Sequence, residues 1–216
     1  MEIIYLGHSS FRLSNKNLSI LTDPFDPEMV GLKFPKIQAD YVTISHEHAD
    51  HNNADLVEGA KRVFRGPGEY EVEGISFSGI QTFHDSNKGV DRGKNTVFAI
   101  DFDGIRIAHL GDLGHKLTES QINALGDVDI LMIPVGGYFT FELPEAVETT
   151  RAIEPKIVIP MHYQVPQMNT KLSEHIKPPD AFIAELGLKV EKMNKLTVKQ
   201  GSFPIDEQAI VLLERK

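Results

Sequence analysis

The chain contains no cysteine among its 216 residues. Without cysteine it can form no disulfide bond and can offer no thiolate to a metal ion, so any bound metal must be held by histidine, aspartate or glutamate. The lack of disulfides is compatible with a reducing compartment but does not establish one. The ligand chemistry open to this chain is therefore restricted to nitrogen and oxygen.

Positive charge is also scarce. The sequence has 22 lysine and arginine residues against 31 aspartate and glutamate residues, which gives a formal net charge of −9 with histidine counted as neutral. Nucleic-acid backbones require a basic surface, so this balance argues against a nucleic-acid partner. We expect the partner to be a small-molecule substrate.

Long apolar runs are missing as well. No stretch approaches the roughly 20 apolar residues that a membrane-spanning helix needs. Residues 1–7 are typical of a first strand, because they lack the basic start and long apolar stretch of a signal peptide. The sequence therefore predicts no membrane partner and a cytoplasmic location.

Short apolar, β-branched runs recur along the whole chain, which is the pattern of strands. Strands are predicted over Glu2–Leu6, Leu18–Thr22, Tyr41–Ser45, Ile75–Thr82, Thr96–Asp101, Ile105–Leu110, Ile130–Pro134, Ile157–Pro160, Lys195–Val198 and Ala209–Leu213. Helices are predicted over Asn53–Gly59, Thr118–Leu125, Pro144–Ala152 and Pro178–Glu185. Strands dominate the first half and alternate with helices in the second. Residues 1–216 are therefore predicted to form one α/β domain with sheets inside and helices outside.

The most informative segment is the hexapeptide His46-Glu47-His48-Ala49-Asp50-His51, which directly follows the predicted strand Tyr41–Ser45. Imidazole and carboxylate groups are ligands that zinc and related divalent cations take from proteins. A polar turn rich in histidine is the alternative. A cluster this dense, with a carboxylate in register, seldom arises by chance in a chain with 9 histidines. The hexapeptide therefore predicts a metal site at the end of a strand.

Three later strands also end in a residue that can bind a metal. His84 follows Gln81-Thr82-Phe83, Asp112 follows an apolar run and a glycine, and His162 follows Ile157-Val158-Ile159-Pro160-Met161. Each pattern is weak alone. Together with the hexapeptide they predict that loops at one edge of a pair of sheets each contribute one ligand.

The order His-x-His-x-Asp-His, then His, then Gly-Asp, then His resembles that of the metallo-β-lactamase superfamily. The resemblance covers nearly the whole chain and is nearest to the short branch of ascorbate-6-phosphate lactonase-like proteins. Supporting segments are Leu6-Gly7-His8-Ser9-Ser10-Phe11, Thr22-Asp23-Pro24-Phe25, Pro134-Val135-Gly136-Gly137 and Pro160-Met161-His162-Tyr163. The resemblance implies a four-layer αββα sandwich.

The resemblance also implies a site for two divalent metal ions, with zinc expected and manganese or iron as alternatives. The first ion would be held by His46, His48 and His84. The second would be held by Asp50, His51 and His162, and Asp112 would bridge the pair. A hydroxide between the two ions would then attack the substrate. Asp50 is the expected catalytic residue, since it could also orient the nucleophile or carry a proton.

Other residues near these ligands could support the site or have an ordinary structural role. His109 competes with His84 as a ligand of the first ion, but it could instead contact a ligand or pack in the core. His8 could face the substrate pocket or bond to a loop carbonyl. Asp23 is expected to brace the histidine loop. The glycine pair 136–137 could offer N–H groups to an anionic substrate or simply turn the chain.

The function predicted is hydrolysis of a small ester, lactone or phosphoester. A nuclease or phosphodiesterase on the same scaffold is one alternative, and it would need a basic rim. The residues Lys88, Arg92 and Lys94 cluster after His84, but Asp85 and Asp91 interrupt them. A non-catalytic metal-binding scaffold is the other alternative. The segment 31–35 could be an exposed lip or an interface, which leaves a homo-oligomer open.

Overall fold

The computed structural model describes residues 1–201, 203 and 207–216. Its strands are β1 (Glu2–Gly7), β2 (Ser10–Ser14), β3 (Ser19–Thr22), β4 (Ile37–Gln38), β5 (Tyr41–Ile44), β6 (Val57–Glu58), β7 (Arg62–Arg65), β8 (Gly68–Val72), β9 (Ile75–Phe83), β10 (Lys94–Phe102), β11 (Ile105–His109), β12 (Ile130–Pro134), β13 (Ile157–Met161), β14 (Lys189–Met193), β15 (Leu196–Thr197) and β16 (Ala209–Leu213). Its helices are α1 (Pro27–Val30), α2 (Glu119–Leu125), α3 (Leu143–Ile153), α4 (Thr170–Ser173) and α5 (Asp180–Leu186).

The strands form two large sheets. A 6-stranded sheet has the order β15-β1-β2-β3-β5-β7, and an 8-stranded sheet has the order β14-β16-β13-β12-β11-β10-β9-β8. In each sheet, antiparallel hairpins occupy one part and parallel strands the other. A further pair, β4 and β6, forms a small 2-stranded sheet.

The alternation of side chains along the first sheet places two different cores on its two faces. Ile3 and Tyr5 of β1 belong to the core between the large sheets, whereas Leu6 belongs to a second core. Ile20 and Leu21 of β3 divide in the same way. Successive strand residues point to opposite faces, so one strand can cover both.

Helices cover the outer face of each sheet. The second core contains Val30 of α1 and Leu172 of α4, which pack on the first sheet. On the other side, α3 contacts β12 and α5, and α2 contacts β9. The result is the four-layer αββα arrangement, so the α/β class and the sandwich architecture are confirmed.

Local signals identified several elements well. α2, α3 and α5 lie within two residues of their predicted bounds. A hairpin joins β10 and β11 through Asp103 and Gly104, whose φ angles are 56° and 70°. Two successive residues with positive φ are characteristic of the tight turn that favours Asp-Gly.

The predicted helix Asn53–Gly59 is wrong. Only Ala54–Leu56 is helical there, as one 3₁₀ turn, and Val57 and Glu58 continue as β6. Val57 is buried in the second core and pairs with Ile37 of β4, so tertiary burial overrides a weak local preference. The segment 31–35 is not an exposed lip throughout, because Leu32 and Phe34 are buried in the same core.

The sheets bring the predicted ligand loops to one edge. β11, β12 and β13 are mutually parallel, and β9 is antiparallel to β10, which is antiparallel to β11. β9, β11 and β13 therefore end at the same edge of the second sheet. No helix in the described part of the chain has the length and apolar character needed to cross a bilayer.

Candidate metal centre

The hexapeptide folds back on itself directly after β5. The amide N–H groups of His51 and Asn52 both donate to the carbonyl of His48, at 2.9 and 3.1 Å, which closes a tight turn. The turn buries the side chains of His46, Asp50 and His51, whereas His48 stays exposed at the rim. Glu47 is exposed and ion-paired with Arg65.

One group of potential ligands consists of His46, His48 and His84. A ring nitrogen of each lies within 4.8 Å of the others. Their ring centroids are separated by 4.6 Å (His46–His48), 4.7 Å (His46–His84) and 5.0 Å (His48–His84). The structure therefore brings His84, from the end of β9, to the hexapeptide as the sequence predicted.

A second group consists of His8, Asp50, His51 and His162, again with ligand atoms within 4.8 Å. His8 Nε2 lies 3.1 Å from Asp50 Oδ2, and His51 Nε2 lies 3.7 Å from the same oxygen. All four side chains are buried. His162, from the end of β13, joins the hexapeptide in this group.

Asp112 lies between the two groups. Its Oδ2 is 3.3 Å from Nε2 of His84 and 3.2 Å from Nε2 of His162, while its Oδ1 is 3.2 Å from Nε2 of His51. A carboxylate has two oxygens that can serve two cations, whereas an imidazole nitrogen serves one. Asp112 is thus placed where a bridging ligand would be needed.

The donor atoms of this centre fit a cation. Nε2 of His46, His51 and His162 is buried without a hydrogen-bond partner among the described residues, and so is Oδ1 of Asp112. Buried polar atoms left without partners are costly and rare in folded proteins. Divalent ions bound by these nitrogen and oxygen atoms would satisfy them, and such a donor set suits zinc, manganese or iron.

At His46 and Asp112 the electrostatics favour the protonation states that bind metals. Burial and the nearby imidazole of His51 hold the pKa of His46 well below its ordinary value, so His46 is neutral. Burial alone would raise the pKa of Asp112, but His162 and His51 lower it well below its ordinary value. A neutral imidazole and an ionised carboxylate are the forms that bind metals.

Asp23 and Ser45 hold two of the imidazoles in place. Asp23 Oδ2 lies 2.8 Å from His51 Nδ1 and accepts the Ser45 hydroxyl at 2.5 Å. Ser45 Oγ in turn lies 3.0 Å from His46 Nδ1. These contacts occupy Nδ1 of both rings and leave Nε2 free to face the centre, which is a common way of orienting histidine ligands. Asp23 therefore braces the histidine loop.

Asn95 is a positioning residue that sequence reasoning missed. Its Oδ1 accepts the backbone N–H of Asp112 at 3.0 Å, and its amide group donates to Thr82 and to the carbonyl of Leu110. A lone asparagine at the start of a strand carries no sequence signal for this role. Gly111 allows the close approach, because a Cβ there would lie 2.4 Å from Asn95 Oδ1.

The structure separates His109 from His84. His109 Nε2 lies 2.8 Å from the carbonyl of Ser9, and its Nδ1 accepts the N–H of Gly111 at 3.2 Å. Both ring nitrogens are thus used within the protein, and His109 belongs to no ligand group among the described residues. His84 occupies the third position of the first group.

His8 connects the first strand and the His162 loop to the centre. Besides its contact with Asp50, its carbonyl accepts the Tyr5 hydroxyl at 2.9 Å and the N–H of His162 at 2.8 Å. His8, Asp23 and His162 have positive φ angles of 53°, 38° and 50°. Such backbone conformations cost energy in non-glycine residues and concentrate at functional sites.

The glycine pair 136–137 follows β12 and packs tightly on the His162 loop. The N–H of Gly136 donates to the carbonyl of His162 at 3.1 Å, and a Cβ at Gly136 would lie 2.3 Å from that oxygen. Gly137 has a φ of 70°. Close backbone approach and a turn therefore account for both glycines, and the Gly136 N–H is already used.

Comparison with known proteins identifies relatives of this chain. A family model described as the beta-lactamase superfamily domain matches residues 2–162. A UPF0173 metal-dependent hydrolase of Thermoplasma acidophilum is 32% identical over 188 residues, which cover 76% of this chain and 83% of that protein. A second, from Archaeoglobus fulgidus, is 30% identical over 196 residues, with 76% and 83% covered.

A solved structure from Thermotoga maritima, named as belonging to the metallo-β-lactamase superfamily, matches this fold with a TM-score of 0.81. It is 37% identical in sequence, and the match covers 100% of this chain and 99% of that one. The family model spans most of the chain, and the relatives match over most of their own length. The chain therefore belongs to the metallo-β-lactamase superfamily, in the group whose curated members are named UPF0173 metal-dependent hydrolases.

Proposed function

We propose that this protein is a metal-dependent hydrolase with a dinuclear centre. The observation that carries the proposal is the position of Asp112, whose carboxylate lies 3.3 Å from His84 of the first group and 3.2 Å from His51 and His162 of the second. His46, His48 and His84 would hold the first ion. Asp50, His51 and His162 would hold the second, and Asp112 would bridge them.

Zinc is the metal proposed. The Thermotoga maritima relative is named as a candidate zinc-dependent hydrolase, and a nitrogen-rich donor set without thiolates suits zinc while still admitting manganese or iron. Two bound divalent ions would polarise the carbonyl or phosphoryl oxygen of the substrate and allow a water molecule to attack as hydroxide near neutral pH.

Within the chain, Asp50 is the residue we assign to proton handling. Its Oδ2 lies 3.1 Å from Nε2 of His8 and 3.7 Å from Nε2 of His51. The contact with His8 holds this oxygen in place. It also keeps the carboxylate close to His51, which would bind the second ion. Asp50 can therefore orient the attacking water or accept its proton, and pass that proton to the leaving group.

The substrates proposed are small esters, lactones or phosphoesters, and the location proposed is the cytoplasm. The net charge of −9 disfavours a long polyanion, which supports a small substrate over a nucleic acid. A nuclease or phosphodiesterase, or a scaffold without turnover, remain the alternatives against which the proposal is tested.

The proposal is tested by stripping the protein of metal and reloading it separately with zinc, manganese or iron. Elemental analysis should give about two ions per chain, as a bridged pair requires. The loaded protein should then hydrolyse an aryl ester, a lactone or an aryl phosphodiester, and the stripped protein none of them. One ion per chain would overturn the dinuclear centre. A fully loaded protein that hydrolyses none of the three would favour the scaffold.

A further inference from the structure

A cavity of about 500 Å³ opens beside the exposed side of the centre. It lies between the end of β7 and the start of β10, and His46 and His48 form part of its wall. Cavities of this size hold small organic molecules. A molecule bound there would have one end at the first ligand group and the other in the remainder of the cavity.

Basic side chains dominate the charge of that cavity. Arg65, Arg92 and Lys94 line it, and Glu47 is the acidic residue among the lining residues. Arg65 Nη1 lies 2.7 and 2.8 Å from the two oxygens of Glu47, so these two charges offset each other. Arg92 and Lys94 leave an excess of positive charge in a chain whose net charge is −9.

Arg92 is held in position by contacts that leave its charge unbalanced. Its Nη1 donates to the carbonyl of Phe139 at 3.1 Å, and its guanidinium lies 5.7 and 5.6 Å from the ring centres of Tyr138 and Phe139. Neither Arg92 nor Lys94 forms an ion pair within the described part of the chain. A guanidinium that is anchored in this way can still direct its other N–H groups to an oxyanion.

The buried acidic residue of the same loop does not neutralise these two. Asp85 is buried, and its carboxylate accepts backbone N–H groups from Asn87, Gly89, Asp91 and Arg92 at 2.8 to 3.1 Å. Its charge is thereby used to fix the loop between His84 and β10. The same hydrogen bonds hold the backbone of Arg92 in place, two residues before Lys94.

We infer that this cavity binds an oxyanion group of the substrate, a carboxylate or a phosphate, through Arg92 and Lys94. The inference rests on the proposed function, because it places the bond to be cleaved at the metal centre and the anionic end in the cavity. The substrate class is then a small anionic ester, lactone or phosphoester. A cavity of about 500 Å³ has room for one small molecule that carries such a group.

The first test uses two matched esters with the metal-loaded protein. One is the 4-nitrophenyl monoester of glutaric acid, and the other is the same ester with its free carboxylate converted to a primary amide. The protein should have a higher kcat/KM for the anionic ester. In R92Q/K94Q, the ratio of the two kcat/KM values should fall about tenfold, as expected for losing two partly exposed charge contacts. K94Q alone, at an exposed site, should lower it in part.

The matched control is K88Q, which removes a charge from the same loop outside the cavity and should leave the ratio unchanged. A ratio that is the same in K88Q and R92Q/K94Q would overturn the inference. Faster cleavage of a single-stranded oligonucleotide than of either ester would also overturn it, in favour of a nuclease.

The second test is independent of turnover and of metal. Inorganic phosphate and glutarate are titrated separately into metal-stripped protein, and the backbone amide signals of Gly93 and Lys94 are followed by NMR. Saturable shifts in the native protein and K88Q, but not in R92Q/K94Q, would support the inference, and the tighter ligand would identify the anion. Absence of saturation with both would overturn it. If both anions bind but no ester is cleaved, the proposed function fails while the anion site stands.

Discussion

The two ligand groups of the centre differ in exposure. His8, Asp50, His51 and His162 are all buried, whereas the group of His46, His48 and His84 includes the exposed His48 and adjoins the cavity. Within the buried group, Asp50 contacts His8 and Asp23 contacts His51, and these contacts hold the two rings in place. The open group faces the cavity and is the side of the centre that solvent can reach.

This difference in exposure indicates that the two groups have different roles. A buried group of this kind would provide a rigid position for one ion of the proposed pair, because His8 and His51 cannot turn without breaking their contacts. The open group would accept the other ion and leave room for a substrate. If the two groups are separable, a change in one should alter metal binding there more than in the other.

The largest effect is expected from Asp112→Asn, because it removes the carboxylate that contacts both groups. We expect the loss of at least one ion per chain and a fall in kcat/KM of about 10³-fold, from losing several kcal/mol of charge stabilisation. Elemental analysis and ester hydrolysis measure both. Asp91→Asn, in an exposed loop, is the control and should behave as the native protein. Full metal content in D112N would contradict a bridging role.

The next effect is expected from His48→Gln, which affects only the open group. The variant should bind about one ion per chain, held by the buried group. Because His48 is exposed, the free energy of unfolding of the metal-free protein should change by no more than about 0.5 kcal/mol. His175→Gln, also exposed, is the control for metal content. Loss of both ions in H48Q would show that the two groups fill together.

Asp23→Asn should weaken the buried group without removing a ligand. The change takes away the carboxylate that orients His51, so affinity for the second ion should fall about 10- to 100-fold. Competition with a chelator measures the two affinities separately. Asp40→Asn, at the opposite end of β5, is the matched control. A larger loss at the first site than at the second would contradict this assignment, because Asp23 contacts His51 directly and His46 only through Ser45.

A graded effect is expected from pH in the metal-free protein. Burial lowers the pKa of His8 to about 4 and also lowers the pKa values of His46, His84 and His109. The folded state then binds fewer protons than the unfolded state below the ordinary histidine pKa of about 6.5. The free energy of unfolding should therefore decrease as pH falls from about 6.5 towards about 4.

His51 opposes this trend, since Asp112 and Asp50 outweigh burial and raise its pKa well above the ordinary value. The pKa is lowered at four of these histidines and raised at one. The free energy of unfolding should therefore still decrease as the pH falls. Denaturant unfolding at several pH values measures it. A stability that is flat or rises as the pH is lowered through this window would contradict the neutral buried imidazoles.

Sequence signals were sufficient where a local interaction decides the structure. The α2 helix begins at a capping box, in which Thr118 and Gln121 bond to each other's backbone N–H groups. The hexapeptide was recognisable because its ligands are close in sequence. The segment 53–59 failed because its outcome depends on Val57 packing against distant residues, which no local pattern encodes.

What the sequence by itself determined is the chemistry: histidine and carboxylate donors, no thiolates, and strands that end in those donors. What only the tertiary structure decided is which donors meet. His84 and His109 both lie at strand ends, yet one faces the hexapeptide and the other bonds to Ser9. The physical reason is that strand pairing and register set the direction of each side chain, and those depend on contacts between residues far apart in the chain.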